Sequence, residues 1–407
     1  MLSKNICFTM ISIVIFLFLL SACSQTQPTV NQPEAIQEAE TVIQERVLTS
    51  IDSEKISSEI TERGFFLLPE FHALVPNQET AMNEFLKVVQ ADPVPTSTES
   101  SKPIKIAFIF PSLEESDAWA RLNTTIRKRL DVLKIPYDVT EYLVENGDHE
   151  GQSAQIDEIL KSDFDYVVIG PSEYQQQKEN LGRLAEKFPT LIMNVVNPFV
   201  DSYATDKMPL THVGFDHSVG AKALCEWVIK ETGGEGTFGL VRYVIGLVDD
   251  QRSNVFADCV QENSNMTMVA EYEANGERNK AFIGANVILT EHPDITMLHG
   301  ASTAIALGNI SALEEQGVLD HVIVNGWGGG ADELNAIIEG KLDVTPFRVN
   351  DDWGVSVAEA IRAHVEGREA DIPVVIAATI KIVDYHMSAE DIAKETETAF
   401  RYSGDLN

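Results

Sequence analysis

Short apolar runs alternate with amphipathic segments through most of this chain, and that alternation leaves few folds open. In the first half the runs at 104–110, 166–170 and 191–196 are apolar enough to be buried on both faces. Between them, 122–134, 155–161 and 181–187 carry helical periodicity. Strands of that kind joined through helices require a parallel sheet with right-handed crossovers. At His212-Val213-Gly214-Phe215-Asp216-His217 the rhythm restarts, predicting strands at 239–244, 268–271, 295–299, 322–325 and 344–348 with helices between. The expected fold is therefore α/β, with two doubly wound parallel-sheet lobes. A last helix at 355–366 and a strand at 374–382 are left over, and each lobe can use one of them. Two lobes joined by several crossings form a cleft that can hinge shut.

The ends of the chain suggest export. Lys4 precedes an apolar run at 6–20, too short to cross a bilayer comfortably and suited to a signal peptide over residues 1–22. The run closes in Leu20-Ser21-Ala22-Cys23, which resembles the lipobox of bacterial lipoproteins, whose cysteine is acylated and becomes the mature N-terminus. Cys23 is thus the expected lipid attachment and the periplasm, at a membrane, the expected location. Residues 23–63, rich in Gln, Thr, Pro and Glu, read as a tether with one surface helix. A packed helical arm follows from Gly64-Phe65-Phe66 and ends in Pro93-Val94-Pro95 and a Ser/Thr linker. The expected lobes are 64–215 plus about 350–375, with the arm, and 216–349 plus about 376–407.

With 30 basic and 63 acidic residues the formal net charge is −33, which argues against nucleic acid or anionic lipid as partners. Any anion bound needs a local cationic pocket. Of the four cysteines, Cys225 and Cys259 fall on predicted helices of the exported part, where a disulfide and two buried thiols are both open.

Gly326-x-Gly328-x-x-Ala331 follows a strand and opens a helix at 332–339, a loose dinucleotide fingerprint in about the ninth strand-helix unit rather than the first. The plainer reading is a set of glycines permitting a sharp strand-to-helix turn. No histidine falls in a metal spacing, and no nucleophile elbow, Walker loop or Cys-x-x-Cys is present, so neither a metal site nor catalysis has support.

What remains is a set of polar and aromatic residues at strand ends, where such sheets bind ligands: Ser116, Trp119, Asn194, Arg252, Thr303, Trp327 and Arg348. Singly, Ser116 and Thr303 suit helix N-caps and Trp119 suits the core. Jointly they read as a ligand-recognition site. Two arginines in one cleft favour a compact anion or a polyhydroxylated ligand with anionic character, because guanidinium forks match oxyanions.

The segments Val213-Gly214-Phe215-Asp216-His217, Asn325-Gly326-Trp327-Gly328-Gly329-Gly330, Arg348-x-Asn350-Asp351-Asp352 and Ala399-Phe400-Arg401-Tyr402-Ser403 resemble the LuxP-type receptors for the quorum-sensing signal autoinducer-2. These are a branch of the ribose- and galactose-type periplasmic binding proteins. The resemblance runs from about Gly64 to the C-terminus. It implies a type I periplasmic binding protein fold and a furanosyl borate diester held in the closed cleft by the same seven residues. The two arginines would flank the borate. It implies no cofactor, boron entering only as part of the ligand, and a membrane sensor histidine kinase as partner. Trp327 stands where the wider sugar-binding family tends to carry an acidic residue. Glu114, a further possible contact, stands where the receptors offer a neutral Gln, and lipid anchoring departs from a freely diffusing receptor. The rival readings are a binding lipoprotein of a ribose/galactose-type ABC importer and, on the glycine match alone, a nucleotide-dependent oxidoreductase.

Overall fold

The computed structural model describes residues 56–98, 102–111, 117–204 and 208–404. The segment expected to be a signal peptide and most of the expected tether, with Cys23, Glu114 and Ser116, lie outside the described residues.

The first sheet contains β1 (Ile104–Pro111), β2 (Tyr137–Val144), β3 (Tyr166–Ile169), β4 (Thr190–Met193) and β5 (Thr211–Phe215), joined late in the chain by β11 (Val375–Ala378). Its order is β11-β5-β4-β3-β1-β2, every pairing parallel. The second contains β6 (Thr237–Arg242), β7 (Thr267–Glu273), β8 (Met297–Gly300) and β9 (Ile323–Val324) in the order β7-β6-β8-β9. β10 (Val344–Arg348) continues it through parallel bridges from Asn325 to Val344 and from Gly328 to Phe347. β12 (Ile380–Asp384) pairs antiparallel with β10.

Central strands such as β1 are apolar throughout because helices cover both faces: residues 106–110 are wholly buried. β2 is an edge strand of the first sheet, half exposed and alternating, and so lacks the continuous apolar run by which the central strands are recognisable. The leftover segment at 374–382 is not one strand. It breaks at Thr379, β11 completing the first sheet beside β5 and β12 the second, so both lobes use a piece of it. Pairing therefore carries the first lobe to Ala378, past the division expected at about 375.

The arm consists of α1 (Ser58–Arg63), α2 (Leu68–Leu74) and α3 (Pro76–Gln90). α1 lies in the span read as tether, yet its Ile60 is buried with Phe66, Phe71, Val75, Val196 and Val375. The arm closes the β11 side of the sheet: Asn197 donates to the Phe66 carbonyl at 3.0 Å, and the Val374 N–H donates to Gln78 at 2.8 Å. The first lobe carries α4 (Asp117–Leu133), α5 (His149–Ile159) and α6 (Lys178–Lys187). The second carries α7 (His217–Thr232), α8 (Leu247–Asp249), α9 (Val255–Asn263), α10 (Arg278–Glu291), α11 (Thr303–Gln316) and α12 (Ala331–Ile338). α13 (Asn350–Val365) returns to pack on α4, where the buried pair Arg129–Glu359 and the Trp353 indole, donating to the Val213 carbonyl at 2.9 Å, fix its register. α14 (Ala389–Ala399) closes the chain on the second lobe.

The open alternative at the two cysteines resolves as a disulfide, Cys225 to Cys259, between α7 and α9. The chain passes between sheets at three places: β5 to α7, β10 to α13, and β11 to β12 through Thr379. The last two are tied, because the Val349 N–H donates to the Thr379 carbonyl at 3.0 Å.

Candidate functional site

The strand ends of both lobes face one cavity of about 490 Å³, solvent at its mouth included. Trp119, Asn194, Arg252, Thr303, Trp327 and Arg348 all line it, together with Asn146 and Tyr243. Ser116, the remaining expected contact, and Glu114 lie outside the described residues. A second space of about 470 Å³ adjoins the first, sharing Trp119, Asn146, Asn194 and Tyr243 as walls.

Each side chain arrives by a different local device. Trp119, on α4, is both core and cavity wall: it stacks on Phe110 at 5.3 Å and tilts against Trp353 at 4.8 Å. Asn194 is not inside β4 but the first residue beyond it, in the left-handed region at φ 65°. Asparagine tolerates that conformation better than most side chains. Gly214 makes room for this turn, since a Cβ there would stand 2.8 Å from the Val195 nitrogen. Thr303 opens α11, but Ser302 caps the helix by accepting the Ile305 N–H, which leaves the threonine hydroxyl to the cavity.

Arg252 lies in a single π-helical turn, Asp250–Asn254, between α8 and α9. Such turns widen a helix by one residue and recur at functional positions. Its Nη1 donates to the Ala301 carbonyl at 3.0 Å, and the guanidinium carbon stands 5.5 Å from the ring centres of both Trp327 and Tyr243. Arg348 ends β10 with its guanidinium 5.3 Å from the Phe215 ring. Gly328, at φ 120°, is required beside it, because a Cβ would stand 2.5 Å from Arg348 Nη2.

The electrostatics are unusual. Arg252 and Arg348 are 5% and 6% exposed, and among the described residues neither has a carboxylate within ion-pair distance. The Nε of each lacks a partner among the described residues, as does the Trp327 indole N–H. Burial first, then the neighbouring Arg348 charge, pulls Arg252 down to about 9, and burial likewise lowers Arg348. Glu333 and Asp117 act on Arg348, and Asp249 and Glu333 on Arg252, only from beyond ion-pair distance, so burial of the two cations is costly and a ligand that supplies negative charge offsets it.

The glycine loop does not hold a phosphate-ready nest. Glu333, buried on α12, already accepts the Trp327 N–H at 3.1 Å, the Gly329 N–H at 2.9 Å and the Thr345 hydroxyl at 2.5 Å. Those amides are the donors a pyrophosphate would need, so the dinucleotide reading has no free cradle here, and the sharp-turn reading accounts for the glycines.

Other residues at the site were missing from the sequence reading. Asn146 follows β2, the edge strand that reading did not mark, and Tyr243 follows β6, whose end it placed two residues too late. The strand-end rule finds both once the strands are right. His217, Asp117 and Glu333 gave no comparable signal, because their partners are distant in sequence or in the backbone.

Two α/β lobes thus meet on a polar, aromatic-walled cavity. Residues 106–369 match the family described as the periplasmic binding protein domain, and the chain belongs to that family, which implies a periplasmic location. It is similar to the ribose import binding protein of Salmonella typhimurium, 26% identical over 185 residues, covering 45% of this chain and 62% of that protein. It is also similar to the D-ribose/D-allose-binding protein of Pseudomonas aeruginosa, 27% identical over 202 residues, with 48% and 61% covered. The chain thus spans about three-fifths of the length of the curated relatives it matches. Among solved structures, a solute-binding protein of Agrobacterium vitis with bound D-fucose superposes with TM-score 0.65 at 17% identity, covering 72% of this chain and 99% of the other. One from Bacillus halodurans with bound myo-inositol gives 0.61 at 22% identity, covering 73% and 100%. These likenesses establish the type I periplasmic binding protein architecture.

Proposed function

We propose that this protein is a lipid-anchored receptor that binds autoinducer-2, as its furanosyl borate diester, between the lobes and signals to a membrane sensor kinase through closure. The observation that carries the reading is the pair of buried guanidiniums of Arg252 and Arg348, without a carboxylate in ion-pair distance among the described residues, in a cavity walled by Trp119 and Trp327. A neutral sugar satisfies hydroxyl partners but brings no charge to either guanidinium, whereas a borate ester brings one negative charge. Contacts with residues of both lobes give the ligand its differential affinity for the closed form, without which it shifts no equilibrium.

The second reading is a sugar-delivering subunit of an ABC importer, favoured by the names of the ribose- and allose-binding relatives. Calorimetry with autoinducer-2, with and without boric acid, and with D-ribose separates them: borate-dependent binding supports the receptor, and borate-independent binding of ribose alone sinks it. Small-angle scattering must also show compaction on saturation; protein that starts open and stays open would have no conformational message to pass on.

A further inference from the structure

His217 opens α7 at the first crossing between the lobes, is wholly buried and lies just behind the cavity wall. Its Nε2 stands 3.3 Å from Asn194 Oδ1 on the first lobe and 3.3 Å from Arg252 Nη2 on the second. Its Nδ1 has no partner among the described residues, and its ring meets the Trp327 indole edge-on at 6.1 Å. One ring nitrogen thus touches a ligand-facing residue from each lobe, at the hinge itself.

From this geometry we infer that His217 is a positioning residue, whose neutral ring sets the orientation of Asn194 and Arg252 together and so ties the ligand contacts of the two lobes to the hinge. The inference rests on the reading of this cavity as the ligand site. A guanidinium only donates and a carboxamide oxygen only accepts, so Nε2 serves one of them at a time. With its proton on Nδ1, the ring accepts from Arg252, whose other anchor is the Ala301 carbonyl, and Asn194 Oδ1 is left to accept a ligand hydroxyl. With its proton on Nε2, the ring holds Asn194 and releases Arg252. The doubly protonated ring fits neither arrangement beside two guanidiniums, and burial together with the Arg252 and Arg348 charges keeps it neutral. An anionic ligand drawn to Arg252 therefore favours one tautomer, and that choice aims Asn194.

Three full-length variants test this with autoinducer-2 plus boric acid, and with D-ribose in parallel. In His217→Gln the side-chain amide reaches the Nε2 position and should keep most of the affinity. In His217→Asn it reaches only the Nδ1 level, and in His217→Ala nothing does. Both should bind about tenfold or more weakly, the loss expected for a hydrogen bond to a charged group. Ligand-free melting curves of all three confirm folding. In wild type, nitrogen-15 spectra of the ring should show a neutral imidazole whose tautomer ratio changes on saturation. Equal affinity in the Gln and Asn variants, an Ala variant within twofold of wild type, or an imidazolium signature at neutral pH would overturn the role while leaving the site intact. A wild type that binds neither ligand overturns the site reading and this role with it.

Discussion

The Asp117 carboxylate, on the first lobe, accepts the backbone N–H of Ala331 from across the cleft at 3.2 Å, while Arg121 Nε holds the same oxygen at 2.7 Å. Ala331 begins α12, whose N-cap is Gly330, a residue with no side chain to cap with. The arrangement recurs at α8: its N-cap is Gly246, and Glu173 of the first lobe accepts the Leu247 N–H at 3.3 Å. A Cβ on either glycine would lie within 2.6 Å of the visiting carboxylate. Two helices of the second lobe therefore acquire their N-caps only when the lobes meet.

Removing those caps should loosen the closed form. An N-cap is worth about 1 kcal/mol, so Asp117→Ala and Glu173→Ala should each weaken ligand binding several-fold, and the double variant should expand at sub-saturating ligand. Titration followed by scattering measures both. Unchanged affinity in the double variant would mean that closure does not depend on these contacts.

Arg348→Met should separate stability from function. The methionine fills much of the same volume without a buried charge, and such replacements are often neutral or stabilising by about 1–4 kcal/mol. Ligand-free protein should melt at the same or higher temperature, while autoinducer-2 binding falls by about 1.5–3 kcal/mol. A variant that binds within twofold of wild type removes the anion-site reading.

Glu333→Ala leaves the Trp327 and Gly329 amides and the Thr345 hydroxyl buried without their acceptor. At about 1–3 kcal/mol for each unsatisfied donor, denaturant unfolding should show a loss of 3 kcal/mol or more. Glu333→Gln, which keeps one acceptor oxygen, should fall between. A fully stable alanine variant would show that water fills the place of the carboxylate.

Acid should destabilise the first lobe through His212. Its ring is buried beside the Tyr174 hydroxyl at 3.1 Å, and burial lowers it from 6.5 to about 4. The unfolded chain then binds the extra proton between those values, so the contribution is complete above pH 6.5 and is lost as pH falls toward 4. At about 1.4 kcal/mol per unit the loss is roughly 3 kcal/mol. Melting temperatures of wild type and His212→Gln across that range should converge toward the acid end; parallel curves would contradict the assignment.

The fold was legible at most strands buried on both faces, because such strands are continuous apolar runs; β5, interrupted by His212 and Gly214, was marked only as the point where the rhythm restarts. It was not legible at β2, whose outer face meets solvent, nor at Thr379, where the chain changes sheets without a break in hydropathy. The candidate site was legible through position: Trp119, Asn194, Arg252, Thr303 and Trp327 follow strands, Arg348 ends one, and the structure brings all six to one cavity. The residues that support them were not. Glu333 serves backbone amides, Asp117 serves a helix end in the other lobe, and His217 acts through neighbours distant in sequence, so none of these tasks leaves a pattern in spacing.

The Cys225–Cys259 disulfide joins α7, which starts at His217, to α9, which continues from the turn bearing Arg252. Closing a loop of sequence separation 34 restricts the unfolded chain by roughly 3–4 kcal/mol. The compartment in which the chain folds is therefore written into its binding surface. Material produced in a reducing cytosol carries two thiols and an untethered pair of helices behind the proposed anion site, so oxidation state belongs among the controlled variables of any affinity measurement, beside borate and pH.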